Sequence, residues 1–283
     1  MIIDIHTHTF PPKIAASTLE KLSRASHTRP FTDGTGEGLA ASMAQAGVDC
    51  SMVLPVATAA RQVEHINDSA AAINSAWPDT GIRSFGCMHP EYENWHGELA
   101  RVKALGLKGI KLHPVYQGVD LDDARYLRIL ERAGELGLIV ITHAGLDVGF
   151  PGVVRCSPEM VRRALEQAGP VTLILAHMGG WRSWEQVLEL LPDTTALIDT
   201  SFSVGHMCPL DDGYYKDDGD LDLLDGPGFL ELVRAFGADR VLFGSDSPWS
   251  SQKESREWIE AQALTGEERA AILGGNAQRL LEM

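Results

Sequence analysis

The sequence predicts an α/β fold, a single, slightly distorted (β/α)8 barrel over residues 1–283. Three observations predict it. Eight short apolar runs rich in β-branched residues alternate with amphipathic stretches from end to end. The length, 283 residues, suits one such barrel without an intervening linker. Six of the histidines, at positions 6, 8, 89, 113, 143 and 177, fall at or just after the ends of those runs.

The expected strands cover 2–6, 50–56, 82–88, 108–113, 138–143, 171–177, 195–200 and 241–246. Each is bounded by Gly or Pro and apolar enough for burial on both faces, which parallel strands require. The intervening helices supply the return crossings of parallel pairing. Over 122–136, Tyr126, Leu127, Leu130 and Ala133 keep to one helical face. Ser157-Pro158-Glu159 combines a cap, a proline at the first helical position and an acid in the first turn. Thr265-Gly266-Glu267-Glu268 has capping-box spacing and opens a C-terminal helix. A doubly wound open sheet is the alternative, but it calls for a glycine-rich turn after the first strand, where His6-Thr7-His8 stands. One segment breaks the rhythm. Residues 211–225, between the seventh and eighth strands, hold seven Asp and one Lys, and are either a solvated surface loop or a mobile lid with Tyr214, Tyr215 and His206 facing substrate.

Composition narrows the function. With 24 basic against 39 acidic residues the formal charge is −15, which disfavours nucleic acid and anionic membranes as partners. No apolar run approaches the roughly 18–20 residues of a membrane span, and the N-terminus lacks a secretory pattern. Cys50, Cys87, Cys156 and Cys208 are widely spaced and read as reduced thiols of a cytoplasmic protein. The expected partner is a small-molecule substrate, with a homodimer left open.

The chemistry collects at the strand ends, which in a parallel barrel converge on one mouth. His6 and His8 are two apart on a strand, so both rings face the same side and can share one borderline metal ion. His143 and His177 each follow an apolar run, where an imidazole is costly unless its nitrogens are satisfied. Asp246 closes another such run and needs a cation or several donors, although Ser-Asp-Ser-Pro is also turn chemistry. Lys111 and His113 share a face. Lys111 could bind a substrate carboxylate, pair with an acid, or carry a carbamate bridging two metals, the first two being favoured. His113 is a substrate residue or a turn histidine before Pro114. His89 reads as structural, and His27, His65 and His96 as solvent residues. There is no G-x-S-x-G elbow, phosphate loop, H-E-x-x-H or EF-hand pattern, and no carboxylate pair singled out by spacing.

His6-x-His8, GIKLHP at 109–114, THAG at 142–145, AHMGG at 176–180 and GSDSPW at 244–249 together resemble the amidohydrolase superfamily. More narrowly, the chain resembles its amidohydrolase-related branch of decarboxylases and hydrolases, and GGNAQRLL at 274–281 resembles that branch's last helix. The resemblance implies a divalent metal, usually zinc, on His6, His8, His143 and Asp246, one per chain or two. It implies that His177 activates water or substrate beside one metal, or binds a second. Lys111 lies two residues before the end of its strand, away from the family's bridging position.

Two enzymatic functions follow. One is hydrolysis of an amide, lactone or ester of a small molecule by a metal-activated water, with Asp246 accepting the proton and His177 assisting. The other is non-oxidative decarboxylation or hydration of a small, perhaps aromatic, carboxylic acid on the same residues. Many decarboxylase relatives carry glutamate at the first histidine of the pair, so the intact His6-x-His8 leans towards hydrolysis. A barrel that binds metal or ligand without turnover is the third alternative, opposed by the full complement of ligand-type residues.

Overall fold

The structure, a computed structural model, describes residues 1–216 and 223–283. Among these the strands are β1 (Ile3–Thr7), β2 (Cys50–Val53), β3 (Ile82–Ser84), β4 (Gly86–Cys87), β5 (Gly109–Leu112), β6 (Ile139–Thr142), β7 (Thr172–Leu175), β8 (Leu197–Asp199) and β9 (Val241–Leu242). Every expected run contains a strand. The run over 82–88 is divided, because the Asn74 side chain takes both backbone groups of Ser84, at 2.7 and 3.1 Å, out of the ladder. The run over 241–246 stops at Leu242 for a similar reason. The amides of Gly244 and Ser245 donate to Thr200 Oγ1 and Asp4 Oδ1, both at 3.0 Å, instead of to a neighbouring strand.

The residues form two compact units. The first comprises Met1–Val53, Val148–Pro151 and the described part of Asp199–Met283. In it β1 and β2 pair in parallel, Ile3 opposite Cys50 and Asp4 opposite Ser51. The other edge of β1 bonds to 243–247, through Ile5 N–H to Phe243 O (2.9 Å), Asp246 N–H to His6 O (2.8 Å) and His8 N–H to Ser247 O (2.6 Å). All five residues of β1 are buried. The helix Gln252–Glu260, capped by Ser251, packs on Gly36–Ala46, where Arg256 donates to Ala46 O at 2.6 Å. The expected capping box at Thr265 is present, and the chain ends in the helix Asn276–Leu281, whose Asn276 side chain donates to Val241 O at 2.6 Å.

The second unit comprises Leu54–Asp147 and Gly152–Ile198. Its strands β4 to β8 lie side by side in chain order, all parallel, with Ile110 opposite Val140 and Val140 opposite Leu173. Sequential parallel order is what helical crossovers produce. The helix Ala124–Glu135 buries Tyr126, Ile129, Leu130 and Ala133, close to the expected face, and packs on Pro158–Ala168, which Ser157 caps. Each buried aliphatic side chain here contributes about 1.5–3 kcal/mol.

The acidic segment departs from the lid expectation where it is described. In the first unit, Leu210 N–H donates to His27 O (2.8 Å), Tyr215 OH donates to Ser26 O (2.7 Å), and Asp211 pairs with Arg29. Tyr214 stacks on His27 at 3.7 Å, and Asp212 pairs with His27 at 2.7 Å. The two tyrosines thus fasten the chain to 26–29. His206 is exposed. Residues 217–222 of that expectation lie outside the described residues.

Candidate metal centre

In the first unit, three atoms converge. His6 Nε2 and His8 Nε2 lie 3.3 and 3.1 Å from Asp246 Oδ1, and the three atoms fall within 4.8 Å of one another. Four ligands at 2.0–2.1 Å in a tetrahedron are separated by about 3.3–3.4 Å, so this donor set fits a zinc-sized divalent cation. The other nitrogen of His6 is committed. Its Nδ1 donates to Asp199 Oδ2 at 2.8 Å, both residues being buried, which leaves the Nε2 lone pair turned to Asp246. Asp199 is held in turn by Ser201, whose amide donates to it at 3.0 Å and whose hydroxyl donates to the same oxygen.

Local sequence makes this approach feasible. A Cβ on Gly244 would lie 2.9 Å from His6 Cβ, so only glycine lets the two segments close. Asp246 adopts φ +70°, a left-handed conformation uncommon outside glycine and typical of functional positions. Its side chain caps no helix, since Ser251 has that role, and the turn is closed by its backbone oxygen, which accepts from Trp249 N–H at 2.8 Å. Asp4, two residues before His6, accepts from His6 N–H (3.1 Å), Ser245 N–H (3.0 Å), Ser245 Oγ–H and Gln252 Nε2 (2.8 Å). Complete burial nevertheless pushes its carboxyl up to about 6.

In the second unit, a different group forms. His143 follows β6 directly, and Gly145 after it has φ +81° with Trp181 N only 2.3 Å from where a Cβ would stand, which explains the Ala-Gly pair. His143 Nε2 donates to Leu146 O at 3.2 Å, so its Nδ1 lone pair receives His177 Nε2–H at 3.0 Å. His177 has φ +63° and its carbonyl accepts from Trp184 Nε1 at 3.0 Å. His113 caps the short helix Pro114–Gln117 through Nδ1, stacks on His143 at 4.4 Å, and turns Nε2 to Asp147 at 3.6 Å. Asp147 stands 3.8 Å from His143 Nε2, and one ligand-type atom each of His113, His143 and Asp147 falls within 4.8 Å of the others, a second group that could hold a cation.

Of the expected residues, the structure brings His6, His8 and Asp246 together in one unit, and His113, His143 and His177 together in the other. Lys111 is fully buried on β5, with its charge opposing the rise of the Cys156 thiol, which burial pushes up to about 12. His89 is structural as expected. It accepts from Glu91 N–H at 3.2 Å, and burial lowers its pKa. His27 is the exception among the solvent histidines, being stacked and ion-paired as described above. Sequence reasoning missed Asp4, Asp147 and Asp199. Asp199 had a signal, since TALID ends an apolar run in an acid just as VLFGSD does.

The amidohydrolase family model matches residues 3–283, and the chain belongs to that family. No curated protein matches it. Among solved structures, a TIM-barrel protein from Bordetella bronchiseptica is 20% identical with a TM-score of 0.74, over 99% of this chain and 98% of that one. A protein from Pseudomonas putida named for 2-pyrone-4,6-dicarboxylic acid hydrolysis is 20% identical with a TM-score of 0.63, over 99% and 97%. A dihydroxybenzoic acid decarboxylase from Polaromonas, with bound manganese and an inhibitor, is 17% identical with a TM-score of 0.67, over 99% and 96%. These similarities show the fold, the TIM barrel expected from the sequence. Among the described residues no helix is long and apolar enough to cross a membrane.

Proposed function

We propose that the chain is a metal-dependent hydrolase of small molecules, cleaving an amide, lactone or ester bond. The observation that carries it is the convergence of His6 Nε2, His8 Nε2 and Asp246 Oδ1 within 4.8 Å, with His6 oriented from behind by Asp199. These residues would hold one divalent metal per chain, zinc by the chemistry of the donor set. When bound, the metal supplies Lewis acidity and acidifies a water. Asp246 would accept the proton that the attacking water gives up and later deliver it to the leaving group. Asp199 keeps the His6 ring from turning. His177, with Nε2 on His143 Nδ1, is proposed as the proton-handling or carbonyl-polarising side chain. Lys111 and His113 are proposed as substrate residues. We expect the enzyme in the cytoplasm, without nucleic acid or membrane partners.

Decarboxylation is the second function, favoured by the matched decarboxylases of 2,6-dihydroxybenzoate and 5-carboxyvanillate, whose TM-scores of 0.69 and 0.68 exceed that of the pyrone hydrolase, 0.63. The substrates named for both kinds of relative are carboxylic acids, so a small carboxylic acid is the class to screen. The zinc- and manganese-loaded protein is assayed on lactone, ester and amide panels by proton release, and on hydroxybenzoates by CO2 release. Hydrolytic turnover abolished by Asp246→Ala supports the first function. CO2 release without hydrolysis replaces it with the second.

A further inference from the structure

We propose that Asp4 is a positioning residue that holds the two ligand-bearing segments of the metal centre in register. The inference rests on the metal reading above and assigns a residue to it that touches neither metal nor substrate. Asp4 stands two residues before His6 on β1, where the register with β2 shifts between Asp4 and Thr7, and its side chain bonds the His6 amide itself. One oxygen, Oδ1, accepts from the amides of both His6 (3.1 Å) and Ser245 (3.0 Å), which stand in or next to the ligands on the two segments. The other, Oδ2, accepts from Ser245 Oγ–H and from Gln252 Nε2 at 2.8 Å, and that same nitrogen donates to Ser51 Oγ at 2.9 Å. The carboxylate therefore ties β1, the segment that carries Asp246, β2 and the helix Gln252–Glu260 at one buried point.

The amides of Gly244 and Ser245 have left the ladder, so between the backbone bonds from Ile5 N–H to Phe243 O and from Asp246 N–H to His6 O the two segments are joined by the Asp4 carboxylate. An asparagine here would have the right volume but would turn an NH2 towards donors that already point inward. The three metal-ligating atoms would then lose their common focus without any of them being altered.

The test is zinc affinity of the folded, metal-free protein, measured by competition with a chromogenic chelator, with thermal unfolding recorded alongside. The proteins are wild type, Asp4→Asn, Ser245→Ala and Glu98→Gln. Glu98 is a control, a buried carboxylate of the other unit held by Asn67 Nδ2 at 2.7 Å and by Arg101. Asp4→Asn is expected to weaken zinc binding about tenfold or more, the usual loss when a ligand's support is removed. Ser245→Ala, which deletes the hydroxyl bond to Asp4 and the one that the hydroxyl accepts from Ser247 N–H at 3.0 Å, is expected to weaken it about fivefold. Glu98→Gln should lower the melting temperature and leave zinc affinity unchanged. Wild type that binds zinc, with Asp4→Asn and Ser245→Ala binding as tightly, overturns the role of Asp4 alone. Should Asp4→Asn fail to fold, Ser245→Ala decides by the same criterion. Wild type that takes up no zinc overturns the metal centre and the role of Asp4 together.

Discussion

The two histidine groups use the same residue types and arrange them for different work. In the first unit, two imidazole nitrogens face one carboxylate oxygen at 3.3 and 3.1 Å, and a second carboxylate fixes the far side of His6. In the second, imidazoles face and stack on each other, with Asp147 standing off at 3.6 and 3.8 Å. Converging lone pairs around an anionic oxygen suit a cation. Rings chained through N–H to lone pair, with a carboxylate just beyond hydrogen-bond distance, suit the holding of rings and protons, while His113, His143 and Asp147 also stand close enough together to share a cation. Residue identity alone does not separate these functions, while the direction of each nitrogen does.

That contrast can be broken most decisively at Asp246. Asp246→Ala should cut turnover by about 10²–10⁴-fold and also reduce bound metal, since one carboxylate serves as ligand and proton acceptor. Equal metal content with full turnover would dissolve the distinction. His177→Ala sharpens it from the other side, with turnover falling by about 10²-fold and metal content holding at the wild-type level by elemental analysis. A parallel loss of metal would make His177 a ligand. A smaller effect is expected from Asp147→Asn, about tenfold in kcat through a loosened His143, again with metal retained.

The smallest effect concerns the thiols beneath the second group. Burial pushes Cys156 up to about 12 and Cys87 higher still, so almost no thiolate forms at pH 8, whereas Cys208 is only half-buried. A maleimide at pH 8 should label native protein once, at Cys208, by peptide mass mapping. Rapid labelling of Cys156 would show that the second group opens in solution.

Much of this was legible in the sequence because period-two alternation and apolar runs ending in polar residues are local signals. They located His6, His8, His143 and His177 at or within two residues of a strand end, while Asp246 stands beyond β9, which stops at Leu242. The break in the run over 82–88 was not legible, because it depends on Asn74, which reaches Ser84 from a helix. Asp4 reads as one polar residue in an apolar strand, and its four donors come from His6, from Ser245 and from Gln252, 248 residues away. Asp147 belongs to no strand at all and acquires meaning only from rings brought to it by two separate strands. Tyr214 and Tyr215 looked like lid residues because nothing in their own segment shows that 26–29 would receive them.

The most direct measurement is metal per chain by elemental mass spectrometry, after reconstitution with zinc and with manganese, for wild type, a His6→Ala/His8→Ala double variant and His113→Ala. The account predicts about one metal per chain in wild type and His113→Ala, and close to none in the double variant. Metal undiminished in the double variant, or absent from wild type after reconstitution, would contradict it.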